Sequence, residues 1–563
     1  MVMTRDRCAG EAAHVSFSYA PGYSNSPSTR SRYPSPLRVN GLDSQSCFDC
    51  HNSIGSAHLP GEGPLSLLER KAGTTSGSAG FASNAFIGGS LPGDPNEPVP
   101  FTEFVRNPPH VFGTGYVQKL AEEMSYDLLL LKEYAVGRAI LNPGKRIVQP
   151  LKTAVGPTDF GVYSVIYTGP RLRAYTQVRS RVLRTVQGQG AAGIVEDYSG
   201  VHGVSRDLVV RPLQWKGIAS NERNFVRSAL AFHFGTAPKE LNPGYMTQNE
   251  DHDPDHDGKP DEVLEGEVTE LTVFTMLARP PTVQPLPAGL EASAERGKKL
   301  FMGMDSAMPP ATSCASCHTP SLRISNSMVC VRDPRGDPSN QVFTNITGLV
   351  ASQKNVGNLP TIRKFIHLES RMSHLAGQQK FFDRSPEQIL RSFRAAVQTM
   401  VGSHESVCAG PGYQFDLSLK SGDTDLSERS LSLSYPRLPE NVDGSVDVPL
   451  FSDLKRHDMG DALADSYDQG TDVQTIAVNR REFLTRPLWG VADTGPWLHD
   501  GRARTLREAI LLHKSNGSEA NPVIDSFLQL SATDQSAIVN FLLTLRLPVN
   551  ERYSADNDAP LGQ

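Results

Sequence analysis

Apolar residues recur at helical spacing in several stretches of the chain. Glu122 to Ile140 reads as one amphipathic helix and Glu222 to Phe234 as another, with Val226, Ala229, Leu230 and His233 along one face. Ala294 to Phe301 (AERGKKLF) predicts a helix that leads into a Cys-x-x-Cys-His string. Thr505 to His513 and Ser531 to Leu545 are also helical by pattern, the second opening on a capping Ser or Thr. The segment PPTVQPLPAGLEAS, residues 280–293, is a Pro-rich connection between domains. The organisation expected is a loosely ordered tail over 1–35, an N-terminal domain over 36–285, a C-terminal domain over 286–550 and a flexible end over 551–563. Uninterrupted apolar runs such as Leu128 to Leu131 are far shorter than the roughly 18 to 20 residues of a membrane-spanning helix, so no membrane span is expected.

Composition changes this picture little. A chain of 563 residues has room for several cores. Its 38% hydrophobic and 21% charged residues are those of an ordinary globular protein, while 48 Gly and 41 Pro predict many loops. The expected fold class is therefore mainly α, with long irregular connections. A net charge of -6 from interspersed acids and bases gives no field suited to nucleic acid or a membrane surface.

Chemistry enters with the cysteines, seven in all, at 8, 47, 50, 314, 317, 330 and 408. Four of them fall in Cys47-Phe-Asp-Cys50-His51 and Cys314-Ala-Ser-Cys317-His318. Each string is the attachment signature of a c-type haem: two thiols add to the vinyl groups of one porphyrin, and the adjoining imidazole is held where it can ligate the iron. Zinc would want its ligand pairs close in sequence, whereas these two strings are far apart. Two covalently bound haems are expected, one per domain. Cys330 and Cys408 read equally well as a disulfide or as free buried thiols, and Cys8 has no assigned role.

Asp253, Asp255, Asp257 and Asp261 stand at alternate positions around Gly258, the spacing of an oxygen-ligand calcium loop. Its twelfth position is Leu264, so Glu262 or Glu265 would have to replace the usual bidentate Glu; a solvated acidic turn is the alternative.

The string RPLWGVADTGPWLHDGRARTLREAILLH (486–513) closely resembles the C-terminal signature of the di-haem cytochrome c oxidoreductases, also labelled thiol oxidoreductases. These are related to the bacterial di-haem cytochrome c peroxidases and to MauG. NGLDSQSCFDCH (40–51), LQWKGIASNERNFVRSA (213–229), CASCHTPSL (314–322) and FSDLKRHDMGDALAD (451–465) fit the same family in order.

The resemblance implies two cytochrome c-like haem domains and a set of roles. Counted from His499 of the HDG string, the far-side ligand of the second haem falls on His513, opposite His318, with Met459 as the competing ligand and a helix-capping role as the alternative. His499 itself reads as a structural group in a turn. Trp215 resembles the tryptophan between the two haems of the peroxidases, an electron relay, although a core tryptophan would look the same. Where the relatives place a Glu over the first haem, this chain offers His233, able to act as acid and base on a bound peroxide, to ligate the iron, or merely to fill the core. His58 is a weaker candidate for a switchable ligand, and calcium between domains occurs in the peroxidase relatives.

The implied activity is peroxidase-like oxidoreduction in the periplasm or another exported location, although the first thirty residues show no leader. A small redox protein or quinol-linked donor would feed the second haem, and peroxide or dioxygen would be activated at the first. A rubber-oxygenase-like enzyme and a non-catalytic electron carrier are the rival readings.

Overall fold

The computed structural model describes residues 76–80, 102–107, 109–169, 193–234, 238–241, 263–278, 280–283, 289–332, 385, 388, 412–419, 437–466, 468–471 and 476–547. Among these residues, 37% are helical and 21% lie in strands, in seven helices and several small sheets. The expected mainly α class is thus corrected to a mixed α and β architecture.

Two short strands, β1 (Ser76–Gly80) and β2 (Thr102–Arg106), pair antiparallel. The correction rests chiefly on β3 (Arg146–Lys152), β4 (Asp159–Tyr167) and β5 (Ile194–Asp197), which form an antiparallel sheet in the order β3-β4-β5. In β3, RIVQPLK alternates exposed and buried at every residue. That is the two-residue period of a half-buried strand, and a search for helical spacing passes over it. The inward side chains Ile147, Leu151, Phe160, Tyr163, Val165 and Tyr167 belong to one core with α1 (Thr114–Leu141).

α1 begins two turns before the expected Glu122, and Gly115 explains why the sequence hides its start. Glycine weakens a helix, but a Cβ at Gly115 would stand 2.4 Å from the Met276 carbonyl oxygen at the end of α3 (Glu265–Met276). The residue serves close packing. Between these two helices in sequence lies α2 (Glu222–Phe234), which matches its predicted span.

A second core gathers α4 (Glu291–Phe301), α5 (Leu506–Leu512), α6 (Asn521–Gln529) and α7 (Ala532–Leu542). α4 and α7 cross so closely at Gly297 that a Cβ there would lie 1.8 Å from the Ala537 carbonyl oxygen. Ser531 caps α7 by accepting the Asp534 N–H at 3.1 Å, and Thr505 caps α5 by accepting that of Glu508 at 3.1 Å. Phe301, Phe451 and Phe541 meet in this core with ring centroids 5.1 to 6.0 Å apart. Within the Pro-rich connection, Thr282–Val283 pairs antiparallel with Leu545–Arg546. Among the described residues, no helix is long and apolar enough to cross a membrane.

Candidate haem cavity

The Cys314–Ser316 segment winds into a short 3-10 turn, with the His318 N–H donating to the Cys314 carbonyl at 2.9 Å. This turn brings Cys314, Cys317 and His318 to one wall of a cavity, and His513, Met459 and Trp215 line the same cavity. Its empty space, with the open mouth and the solvent in it included, is about 1570 Å³. Phe301, Leu488, Leu506, Ile510, Val523 and Leu542 make much of the lining apolar, as the face of a porphyrin requires.

The two candidate iron ligands are held alike. His318 Nδ1 lies 3.1 Å from the Phe451 carbonyl oxygen, and His513 Nδ1 lies 2.7 Å from that of Ala509. A carbonyl only accepts, so Nδ1 carries the proton in both rings and each Nε2 keeps its lone pair. Metal-ligating histidines are oriented by such bonds. Burial, reinforced by the charge His513 would carry, pushes His318 down to about 4. Burial also depresses His513, against the Ala509 carbonyl. Both imidazoles are therefore neutral at ordinary pH, the form that binds a metal. His513 is also the C-cap of α5. Burial pushes the Cys314 thiol up to about 12, the reverse of what a redox-active dithiol needs.

Polar and aromatic side chains complete the lining. Trp215 Nε1 donates to the Asn107 carbonyl at 2.6 Å, and the Arg486 guanidinium lies 5.8 Å from the centre of the indole. His499 is buried against Phe483, with ring centroids 4.5 Å apart, and leads into a turn in which Gly501 has a φ of 70°. His457 sits between Asp453 (Nε2 to Oδ2, 3.0 Å) and Glu519 (Nδ1 to Oε2, 2.7 Å). Burial opposes its charge, but bonds to Asp453, Cys317 and Glu519 outweigh burial and push it up to about 12.

Glu519 gives a pH prediction. Burial raises its carboxyl, yet the bonds from His457 and the Asp458 N–H hold it down to about 2, against an ordinary value of 4.5. A depressed acid contributes stability that is complete above its unfolded value and lost as pH falls through the folded one. Between about pH 4.5 and 2 the thermal midpoint should therefore fall less steeply in Glu519→Gln than in the native chain; parallel curves would refute the linkage.

Of the other residues singled out in the sequence, Cys47, Cys50, His51, His58, Asp253, Asp255, Asp257, Asp261, Cys8 and Cys408 lie outside the described residues. The backbones at His233, in α2, and Cys330, in a strand, are described without their side chains. Sequence reasoning passed over Asn107, Glu222, His457, Arg486 and Glu519. His457 and Arg486 stood inside the strings that carry the resemblance, and the four-residue spacing of Asp453 and His457 was the available clue.

Residues 444–545 match the family described as "Di-haem oxidoreductase, putative peroxidase". That match holds His457, Met459, Arg486, His499 and His513 and excludes both Cys-x-x-Cys-His strings. The chain is also 24% identical over 310 residues to the cytochrome-c peroxidase IdrP2 of Pseudomonas sp. (strain SCT), covering 46% of this chain and 83% of that protein. No solved structure matches. These two matches support the resemblance to the di-haem, peroxidase-like oxidoreductases that the sequence strings carry.

Proposed function

We propose that the chain is an exported di-haem c-type peroxidase. Electrons from a small redox protein or quinol-linked donor enter at the site of Cys314, Cys317, His318 and His513, and a peroxide is reduced at the site of Cys47, Cys50 and His51. The observation that carries this reading is a pair of imidazoles, each tied through Nδ1 to a backbone carbonyl, in a largely apolar cavity that two vicinal thiols also line. A haem bound at each site would supply one-electron redox chemistry and, where an axial position is open, activation of a peroxide O–O bond.

The chain's own residues divide the labour. His318 and His513 would occupy both axial positions of their iron, which suits electron storage. Trp215, its indole fixed by the Asn107 carbonyl in the cavity lining, would relay an electron out of it. His233 would move protons at the first site. Hydrogen peroxide takes up two electrons and two protons to give two waters, so two one-electron stores match one turnover. The test is a hydrogen peroxide titration of the half-reduced protein. A shifted Soret band with donor-dependent turnover supports the proposal, and a Soret band that peroxide leaves untouched sinks it.

A further inference from the structure

Arg486 forms no ion pair among the described residues. It lines the cavity, and its hydrogen bonds among the described residues are two long contacts at 3.4 Å, from Nη1 to the Pro212 and Gln214 carbonyl oxygens. The other strongly basic group on that wall, His457, is held between two carboxylates. Behind Arg486 lies Glu222, the first residue of α2, with no exposed surface and, among the described residues, no hydrogen-bond partner for either carboxylate oxygen. The two feel each other's charge but form no ion pair among the described residues. Facing Glu222 from α1 and α3 are the neutral Thr114 and Thr275, whose hydroxyls donate to backbone carbonyls at 3.0 to 3.1 Å. The Gln118 side-chain oxygen accepts the Glu222 N–H at 2.7 Å.

A guanidinium that shares a buried region with an unpaired carboxyl would pair with it if nothing better were offered. The anionic groups of a haem are its propionates. We propose that Arg486 anchors a propionate of the haem in this cavity, holding that carboxylate beside Trp215, while Glu222 behind it carries a proton. Burial favours that protonated form, raising Glu222 to about 7 against the pull of Thr275, Arg486 and Thr114. Arg486 then has one anion instead of two competing ones. The assignment rests on the haem occupancy in the functional reading above.

Spectroelectrochemical titration tests it, with the haem identified as the one whose low-spin signal disappears in His513→Ala. Without Arg486 an uncompensated propionate stabilises the ferric state. Arg486→Gln is therefore expected to lower the reduction equilibrium constant at least tenfold, about 59 mV for one electron. Arg486→Lys, which keeps the charge, should stay within about threefold of the native value, by the same conversion. A Gln variant that titrates with the native protein, or a Lys variant that falls as far as Gln, overturns the proposal. Should Arg486→Gln fail to fold, Glu222→Gln decides. The native potential is expected to step down as pH rises through about 7, where Glu222 ionises and competes for Arg486, and the step should vanish in Glu222→Gln. An identical step in both chains overturns the proposal. Haem content per chain separates the two readings: no porphyrin on Cys314 and Cys317 defeats both, whereas two haems with an unmoved potential defeat this one alone.

Discussion

His513→Ala is expected to convert the haem on Cys314 and Cys317 from low spin to high spin and to cut donor-dependent peroxide turnover by at least about tenfold to a hundredfold, the loss that follows when tuning groups around a metal are removed. The expectation comes from the geometry around α5. The Thr505 cap fixes where the helix starts, and its length carries His513 to the cavity wall at the last turn. There the Ala509 carbonyl holds Nδ1 and leaves Nε2 as the free donor. Alanine retains the helix but removes the only ring on that turn able to bind iron, so the protein should fold while its spectrum changes. Paramagnetic resonance and the Soret band of the resting protein check this. If that haem's low-spin signal persists in His513→Ala and disappears in Met459→Ala, the methionine is the ligand instead.

Gly297→Ala is expected to destabilise the second core by about 3 kcal/mol or more, beyond ordinary overpacking, because the methyl would collide with backbone instead of a movable side chain. The Cβ position lies 1.8 Å from the Ala537 carbonyl oxygen, 2.2 Å from its carbon and 2.7 Å from Ile538 N, all inside α7. Relief requires α4 and α7 to part, which would open the cluster of Phe301, Phe451 and Phe541 beneath His318. A fall of roughly 10 °C in the thermal midpoint follows for a domain of this size. Gly137→Ala in α1 is the control, since a Cβ there meets nothing within 4 Å. It should be neutral or stabilising by up to about 1 kcal/mol. Equal midpoints for the two variants would mean that the crossing yields easily.

Much of the second core was legible because its signals are local. A capping Ser or Thr, a helical run and a Cys-x-x-Cys-His string each sit within a few residues, and α4, α5 and α7 all lie close to where periodicity put them. The sheet of β3 to β5 was not, because short strands leave a weak two-residue signal that Gly and Pro on either side disguise as loop. Gly115 shows the same limit from another direction: its reason for being glycine is the Met276 carbonyl, 161 positions away. At the site, thiols and imidazoles were readable as residue types in a motif. Arg486 and Glu222 were not, since what sets them apart is that neither forms an ion pair among the described residues, which appears only when distant segments have been packed together.

The carbonyls of Phe451 and Ala509 do more than select a tautomer. Each anchors one edge of an imidazole, so neither ring is free to swivel about the axis that joins it to the cavity. If both rings bind the same iron, the angle between their planes is dictated by two fixed points of the backbone, and every molecule in a frozen sample should share it. The consequence is a single narrow set of g-values for that centre, whereas loosely hung rings would smear the resonance across a range of orientations.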